Sequence, residues 1–572
     1  MPKRLAITIA GAVSLGSYEA GVLYELLRAI RLNNEQAASE DNKIYIDVIT
    51  GASAGAMTAA MVARKLMYNG VSLNDPVKNP LYQAWVEQIS LLGLVRLRRK
   101  EKRWHSLFSS DLVAEIGQKM LVDSMGESSG THPAIELIDG TPEPLRLGMA
   151  LTNLNGVDYM IPILGIKEGG FNYTTSVDQK VFELAPNGIF ELLPNGSQKK
   201  SGWTDLCATA VASGAFPVAF RPGAVEHDIA QYGIPLPANP NLWEEGQTYV
   251  DLRKRPSSTR VWFAHSDGGV LQNQPLGIAK NLVDMAVQAR AARVGSTSHC
   301  DSEERLYVFV APHSVKSTAK DLHAEEITIW DELKQLFSVY TRQAMFHDWI
   351  TAETVNQKIF ILDKRASDLA KAIAARAVNV VALQAAAANL NALLIPNNLT
   401  QRLARLKDQY RAEYATALEA GQPAADAFLQ GIATLEAAAQ LNEHDRMRII
   451  AVIANAKTEL MGGGLSSFVG FFNKKFREHD YWMGRVKARK YLLRKDVTDI
   501  LGVTHWANEA ELKTDLENPS GVKPPPSTWQ LVKSAFWPAI IMVAIRPFLL
   551  AMLAILAVLM AAAVWALLHF HH

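Results

Sequence analysis

The run Gly51, Ala52, Ser53, Ala54, Gly55 constrains this chain more than any other feature, because apolar residues 44–50 lead into it and residues 56–63 read as a helix. A serine on a strand-to-helix turn sits in a strained backbone conformation. Small residues two positions either side let strand and helix approach, and Gly51 and Gly55 meet that need. Such a turn lifts the hydroxyl out of a sheet. It also aims the first amides of the next helix, Ala54 foremost, at an oxyanion formed by attack. Read alone, the pattern leaves two readings open: a nucleophile elbow with Ser53 as nucleophile, or a small-residue turn without chemistry.

Two further motifs bear on that choice. Residues 5–9 form a short apolar strand followed by Gly11, Ala12, Val13, Ser14, Leu15, Gly16 and then a helix-like stretch 18–30. A small-residue loop there can turn its amides toward the end of the next strand, where Ser53 emerges, and so supply the second half of an oxyanion hole. It is also consistent with a plain turn, and its spacing is not a dinucleotide or Walker fingerprint. Far downstream, residues 260–264 read as a strand running into His265, Ser266, Asp267, Gly268, Gly269, with Asn273 and Pro275 behind. An aspartate at a strand end makes Asp267 the candidate base, although Asp-Gly is equally a hairpin turn. Only two strands precede Ser53, which argues against the Ser-His-Asp hydrolases whose elbow follows several strands. His265 and His313 therefore read as surface or polar-network residues.

Together these motifs resemble the patatin-like phospholipases, in which a serine and an aspartate act as a dyad without histidine. The resemblance implies a three-layer α/β/α core, Ser53 attacking an acyl ester, Asp267 taking its proton, and Gly11, Ala12, Val13 and Ala54 supplying the oxyanion hole. Gly51, Gly55, Gly268 and Gly269 are the supporting glycines. The match runs over roughly residues 4–315 and includes Gly16, Ser17, Tyr18, Gly21, Val22 and Leu23. Ser106, Leu107 and Phe108, then Ala212, Ser213, Phe216, Pro217 and Phe220, also belong to it. The usual loop has three glycines and a basic residue where this chain has Gly11, Ala12, Val13 and Leu15. That form, with Phe471, Phe472, Lys475, Arg477, Glu478, Asp480, Tyr481, Gly484 and Arg485 much later, is similar to a bacterial patatin-related branch carrying a helical C-terminal extension.

Composition narrows the class. The 572 residues carry a net charge of +1, which is no nucleic-acid signature. Cys207 and Cys300 exclude a disulfide framework and lack zinc spacing, so neither metal nor cofactor is expected. The N-terminus lacks the uninterrupted apolar core of a signal peptide. At the other end, 548–568 is a run of 21 residues without a charge. At ~1.5 Å per residue it spans the ~30 Å hydrocarbon core. A transmembrane helix is expected there, and Lys523, Lys533 and Arg546 on its N-terminal side favour a cytoplasmic catalytic mass, on the inner membrane of a bacterium. A buried hairpin is the alternative reading.

The expected organisation is a catalytic domain over 1–315, a helical region over 316–517, a Pro-rich linker over 518–534 and a membrane segment over 535–572. The last divides into an interfacial or re-entrant helix, 535–545, and the spanning helix, 548–568. Residues 369–394 and 399–439 read as antiparallel helices serving as packing, lid, sensor or homo-oligomer contact, punctuated at Pro396 and at Gly421. The basic run Arg96, Arg98, Arg99, Lys100, Lys102 and Arg103 fits either anionic headgroups or a solvated face. The expected activity is a membrane-anchored lipid acyl hydrolase of the phospholipase A or lysophospholipase type, acting on membrane lipids. A catalytically silent membrane scaffold is the alternative.

Overall fold

The computed structural model describes residues 2–517 apart from 69–72, 74, 99–100, 103–104, 124–129, 164–169, 194–195, 238, 245–246, 252–259, 295–304, 313–328, 396–398, 440–446, 457–458 and 464–466, with backbone alone along most of 329–347. The expected linker and membrane segment, 518–572, lie outside the described residues, as do His313, Cys300 and three residues of the basic run, Arg99, Lys100 and Arg103. Among the described residues no helix is long and apolar enough to cross a membrane.

The first strand, β1 (Lys3–Ile9), is buried at every position but its first, and β2 (Ile44–Gly51) is buried throughout. Near-continuous apolar strands of this kind belong in a parallel sheet covered on both faces. The parallel strands run in the order Arg448–Ile453, Arg305–Ala311, β1, β2, Leu145–Pro162. An antiparallel meander, Gly170–Ala185, Gly188–Leu192 and Gln198–Ser201, continues the sheet. Alternation along β1 sorts the layers. Leu5, Ile7 and Ile9 enter the larger core with helices α1 (Gly16–Gln36) and α2 (Ala54–Met67), whereas Ala6 and Ala10 face helix Leu276–Val294. The mixed α/β core with helices on both faces agrees with the expected fold class.

Two expectations about organisation need correction. The α/β unit does not end near residue 315: Arg448–Ile453 pairs in parallel with Arg305–Ala311, and helix Lys474–Leu492 packs along α1. The close approach of those helices is steric. A Cβ on Gly21 would lie 2.0 Å from the Tyr481 carbonyl oxygen, and one on Gly484 2.1 Å from that of Tyr18. Glu25 of α1, fully buried, accepts from Arg485 Nε and Arg489 Nε at 2.8 Å each, so the charges are compensated where burial would otherwise be costly. The stretch 369–394 is likewise not one helix. Helix Ile329–Ala374 ends before Arg376, which has a left-handed φ of 55°, and a new helix, Val380–Leu394, starts with Asn379 accepting from the Ala382 amide. With Leu399–Gln409, Arg411–Leu418 and Gln422–Ala438 these helices enclose a separate core around Ile373, Leu406, Tyr410, Phe428 and Ile432.

Candidate active site

Strand register brings Ser53 and Asp267 together across 214 residues. Gly51 at the end of β2 pairs in parallel with Met149, while Ser266 pairs antiparallel with Thr152 of the same strand. Two steps beyond Gly51 and one step beyond Ser266 both arrive opposite Leu151. The strand that delivers Asp267, Arg260–Ser266, runs two residues further than its sequence suggests.

At that meeting point Ser53 has φ 54° and ψ −127° and caps α2. A non-glycine residue with positive φ is uncommon and costs about 1–3 kcal/mol, which the surroundings must hold in place. They do so at several points. The Ser53 amide donates to Ser213 Oγ at 3.0 Å, and Ser213 Oγ donates to the Ala150 carbonyl at 2.7 Å. A Cβ on Gly51 would lie 2.4 Å from the Gly55 carbonyl oxygen, and one on Gly55 2.5 Å from those of Ile9 and Ala10. Both glycines are therefore required by contact.

Ser53 Oγ donates to Asp267 Oδ2 at 2.5 Å, and Gly269 N donates to Oδ1 at 2.7 Å. The Asp267 amide donates to the Ala215 carbonyl and its own carbonyl accepts from Thr152 Oγ1, so the carboxylate is fixed from both sides. Gly268 must be glycine, since a Cβ would lie 2.0 Å from the Ala150 carbonyl oxygen. Asp267 is 2% exposed, and burial pushes its carboxyl from 3.8 up to about 7 against the opposing bonds from Ser53 and Gly269.

Of the expected oxyanion donors, Val13 and Ala54 line the cavity that holds Ser53. Among the described residues the amides of Ala12, Val13 and Ala54 have no hydrogen-bond partner. Gly11 is different: its amide donates to the Asn273 carbonyl at 3.0 Å, so it is not available to an oxyanion. Its lack of a side chain is what matters, because a Cβ there would lie 2.2 Å from Asn273 Oδ1 and 3.1 Å from Ser53 Cβ. Gly11→Val is expected to displace Asn273 and Ser53, lowering kcat about 10²-fold with a modest loss in melting temperature. Wild-type kcat in a folded variant would show that the loop does not shape the site.

The cavity, of about 370 Å³, is apolar beyond Ser53, with Met57, Trp85, Ile89, Val113, Phe216, Phe220 and Phe471 in its wall. A second apolar cavity of about 450 Å³ shares Met57, Trp85, Ile89 and Val113 and reaches Met61, Met120 and Leu121. Sequence reasoning did not identify this lining. Trp85 lies in an irregular helical turn, Gln83–Gln88, that local patterning does not announce.

Asp178, His227 and His265 are the group of described residues whose ligand atoms could surround a metal ion. Asp178 Oδ2 already accepts from Asn153 and Tyr232 and lies 3.1 Å from His265 Nε2, so the carboxylate is taken up in a buried polar network, whereas both ring nitrogens of His227 and Nδ1 of His265 are buried without a hydrogen-bond partner among the described residues. Burial pushes His227 down to about 4, leaving it neutral at pH 7. His265 Nε2 meets Asp178 Oδ2 and takes no part in the Ser53–Asp267 hydrogen bond. The described part of the basic run includes Arg98, which is paired with Glu115 at 2.8 Å.

Residues 7–280 match the family described as patatin-like phospholipase. The chain is 25% identical over 330 residues to the uncharacterized protein y4iI of Sinorhizobium fredii, covering 47% of this chain and 44% of that protein. It is 24% identical over 320 residues to the uncharacterized membrane protein Rv3479 of Mycobacterium tuberculosis, covering 51% of this chain and 27% of that one. The chain thus spans less than half the length of these relatives.

Proposed function

With residues 7–280 a patatin-like phospholipase domain, we propose that the chain is a serine lipid acyl hydrolase of the phospholipase A or lysophospholipase type, working through a Ser53–Asp267 dyad. The observation that carries this reading is the 2.5 Å bond from Ser53 Oγ, on a positive-φ elbow, to a buried carboxylate with no histidine between them. Asp267 takes the hydroxyl proton as Oγ attacks the ester carbonyl, and the tetrahedral oxyanion lies against the Val13 and Ala54 amides. Collapse expels the alcohol, which takes the proton from Asp267. Water then adds to the acyl-enzyme with Asp267 again as base, releasing the fatty acid and restoring Ser53. The apolar cavity suits an acyl chain. The reading is tested by incubating phospholipid vesicles with the protein and with Ser53→Ala and following fatty acid release by mass spectrometry. Equal release from both would overturn it.

We further propose that residues 548–568 anchor the catalytic mass to a bilayer, on the strength of their 21 uncharged residues. Truncation after Pro526 is expected to leave hydrolysis of short-chain or micellar esters intact and to abolish it on bilayers, since the anchor raises the local concentration of active site without touching the chemistry. Aggregation with loss of activity on every substrate would instead identify a buried hairpin.

A further inference from the structure

The cavity around Ser53 has one wall from beyond the residues that match the family. Phe471 lines it. Phe468, three residues earlier, packs between Phe108 and Phe216 at ring-centre distances of 6.1 and 5.4 Å. Between them Gly470 reaches the loop that carries the proposed oxyanion amides. Ser14, the residue after Val13 and fully buried, donates its Oγ to the Ser467 carbonyl and accepts from the Gly470 amide at 3.1 Å.

The backbone is conformationally unusual on both sides of this contact. Val13 is β-branched with φ 53°, and Ser467 has φ 69°. A β-branched residue does not hold such a backbone by its own preference, so neighbouring contacts must hold it. The segment that supplies those contacts is itself pinned. Arg477, 2% exposed, donates to the carbonyls of Gly470 and Phe471 at 2.9 and 3.3 Å, and to that of Val86, beside Trp85, at 3.0 Å. Asp480 accepts from the Met461 and Gly462 amides at 2.7 and 2.8 Å, and a Cβ on Gly462 would lie 2.8 Å from Leu15 Cδ2.

We propose that the segment from Ser467 to Phe471 is part of the active site, and that Ser14 is a positioning residue through which it holds the Val13 amide at the place an oxyanion forms. The proposal rests on the hydrolase reading. It gives the C-terminal region a direct function in catalysis, since a transition-state donor displaced by a fraction of an ångström loses most of its effect.

The test uses the full chain with Ser14→Ala, which removes the latch from the loop side, and Gly470→Ala, which crowds it from the other. A Cβ on Gly470 would lie 2.4 Å from Ser14 Oγ. Active sites are counted by fluorophosphonate titration. Turnover per titrated site on a soluble ester is expected to fall about 10- to 100-fold in each variant with KM within about twofold. A trifluoromethyl ketone, whose adduct with Ser53 carries an oxyanion, should lose affinity by a similar factor. A merely structural defect would instead lower the number of titratable sites while leaving turnover per site and ketone affinity at wild-type values, and that result overturns the proposal. A wild-type protein no more active than Ser53→Ala would overturn the hydrolase reading and this inference with it.

Discussion

Ser53→Ala and Asp267→Asn are each expected to lower ester hydrolysis by about 10³-fold or more, and the double variant by scarcely more than either. The expectation follows from the arrangement. A serine hydroxyl is a poor nucleophile unless a base takes its proton, and among the described residues Asp267 is the titratable group bonded to Ser53 Oγ, at 2.5 Å. Removing either member removes the pair's single proton transfer, so the losses do not add. Asparagine is near in shape to aspartate, and it can still accept from the Gly269 amide that now meets Asp267 Oδ1 at 2.7 Å. The loss in Asp267→Asn should therefore appear without unfolding. Fluorophosphonate labelling should vanish in Ser53→Ala and become very slow in Asp267→Asn. His265→Ala should cost far less, since His265 serves Asp178. Substantial turnover in either dyad variant, with a normal melting temperature, would sink the assignment.

The sequence exposes this pair because each member sits in a local motif with its own steric logic: Ser53 between glycines that backbone contacts require, and Asp267 ahead of Gly268, where a Cβ would strike the Ala150 carbonyl. What the sequence does not carry is the register that sets both against Leu151. The destination of a single amide is hidden in the same way. Gly11 has the composition of an oxyanion loop, yet its N–H is used by Asn273, more than two hundred residues away. The return of the C-terminal region to the core was also hard to read. Arg448–Ile453 is a six-residue strand with five apolar residues in a region of helices, and its role as an edge strand depends on Arg305–Ala311. A fainter signal was present in α1, where Tyr18, Glu19 and Glu25 are buried although the helix already has a sheet to face. A helix that buries charge on its far side needs a second partner, and Arg485 and Arg489 provide it.

Activity is expected to rise about tenfold per pH unit up to a limb near pH 7, where an ordinary aspartate would place that limb near 4. Desolvation drives the difference: Asp267 is enclosed, and the bonds from Ser53 and Gly269 offset only part of the cost of its charge, leaving it at about 7. A base with that value is half ionised at neutral pH and accepts a proton more readily than a solvated carboxylate. The same shift fixes a sign for stability. Because the folded carboxyl holds its proton more tightly than the unfolded one, its stabilising contribution is complete below about 3.8 and is lost as pH rises through about 7. Asp480, pushed up to about 7 by burial, acts in the same direction, so the wild-type trend alone does not isolate Asp267. The comparison with Asp267→Asn does: that variant should melt progressively higher than wild type as pH rises from 4 to 8, while its ester hydrolysis stays negligible throughout. The profile is measured as kcat/KM from pH 4.5 to 9 on a non-ionising ester, with melting curves of both proteins in the same buffers. A limb near pH 4, or parallel melting curves, would show that Asp267 is solvated in the working enzyme and that burial does not set its basicity.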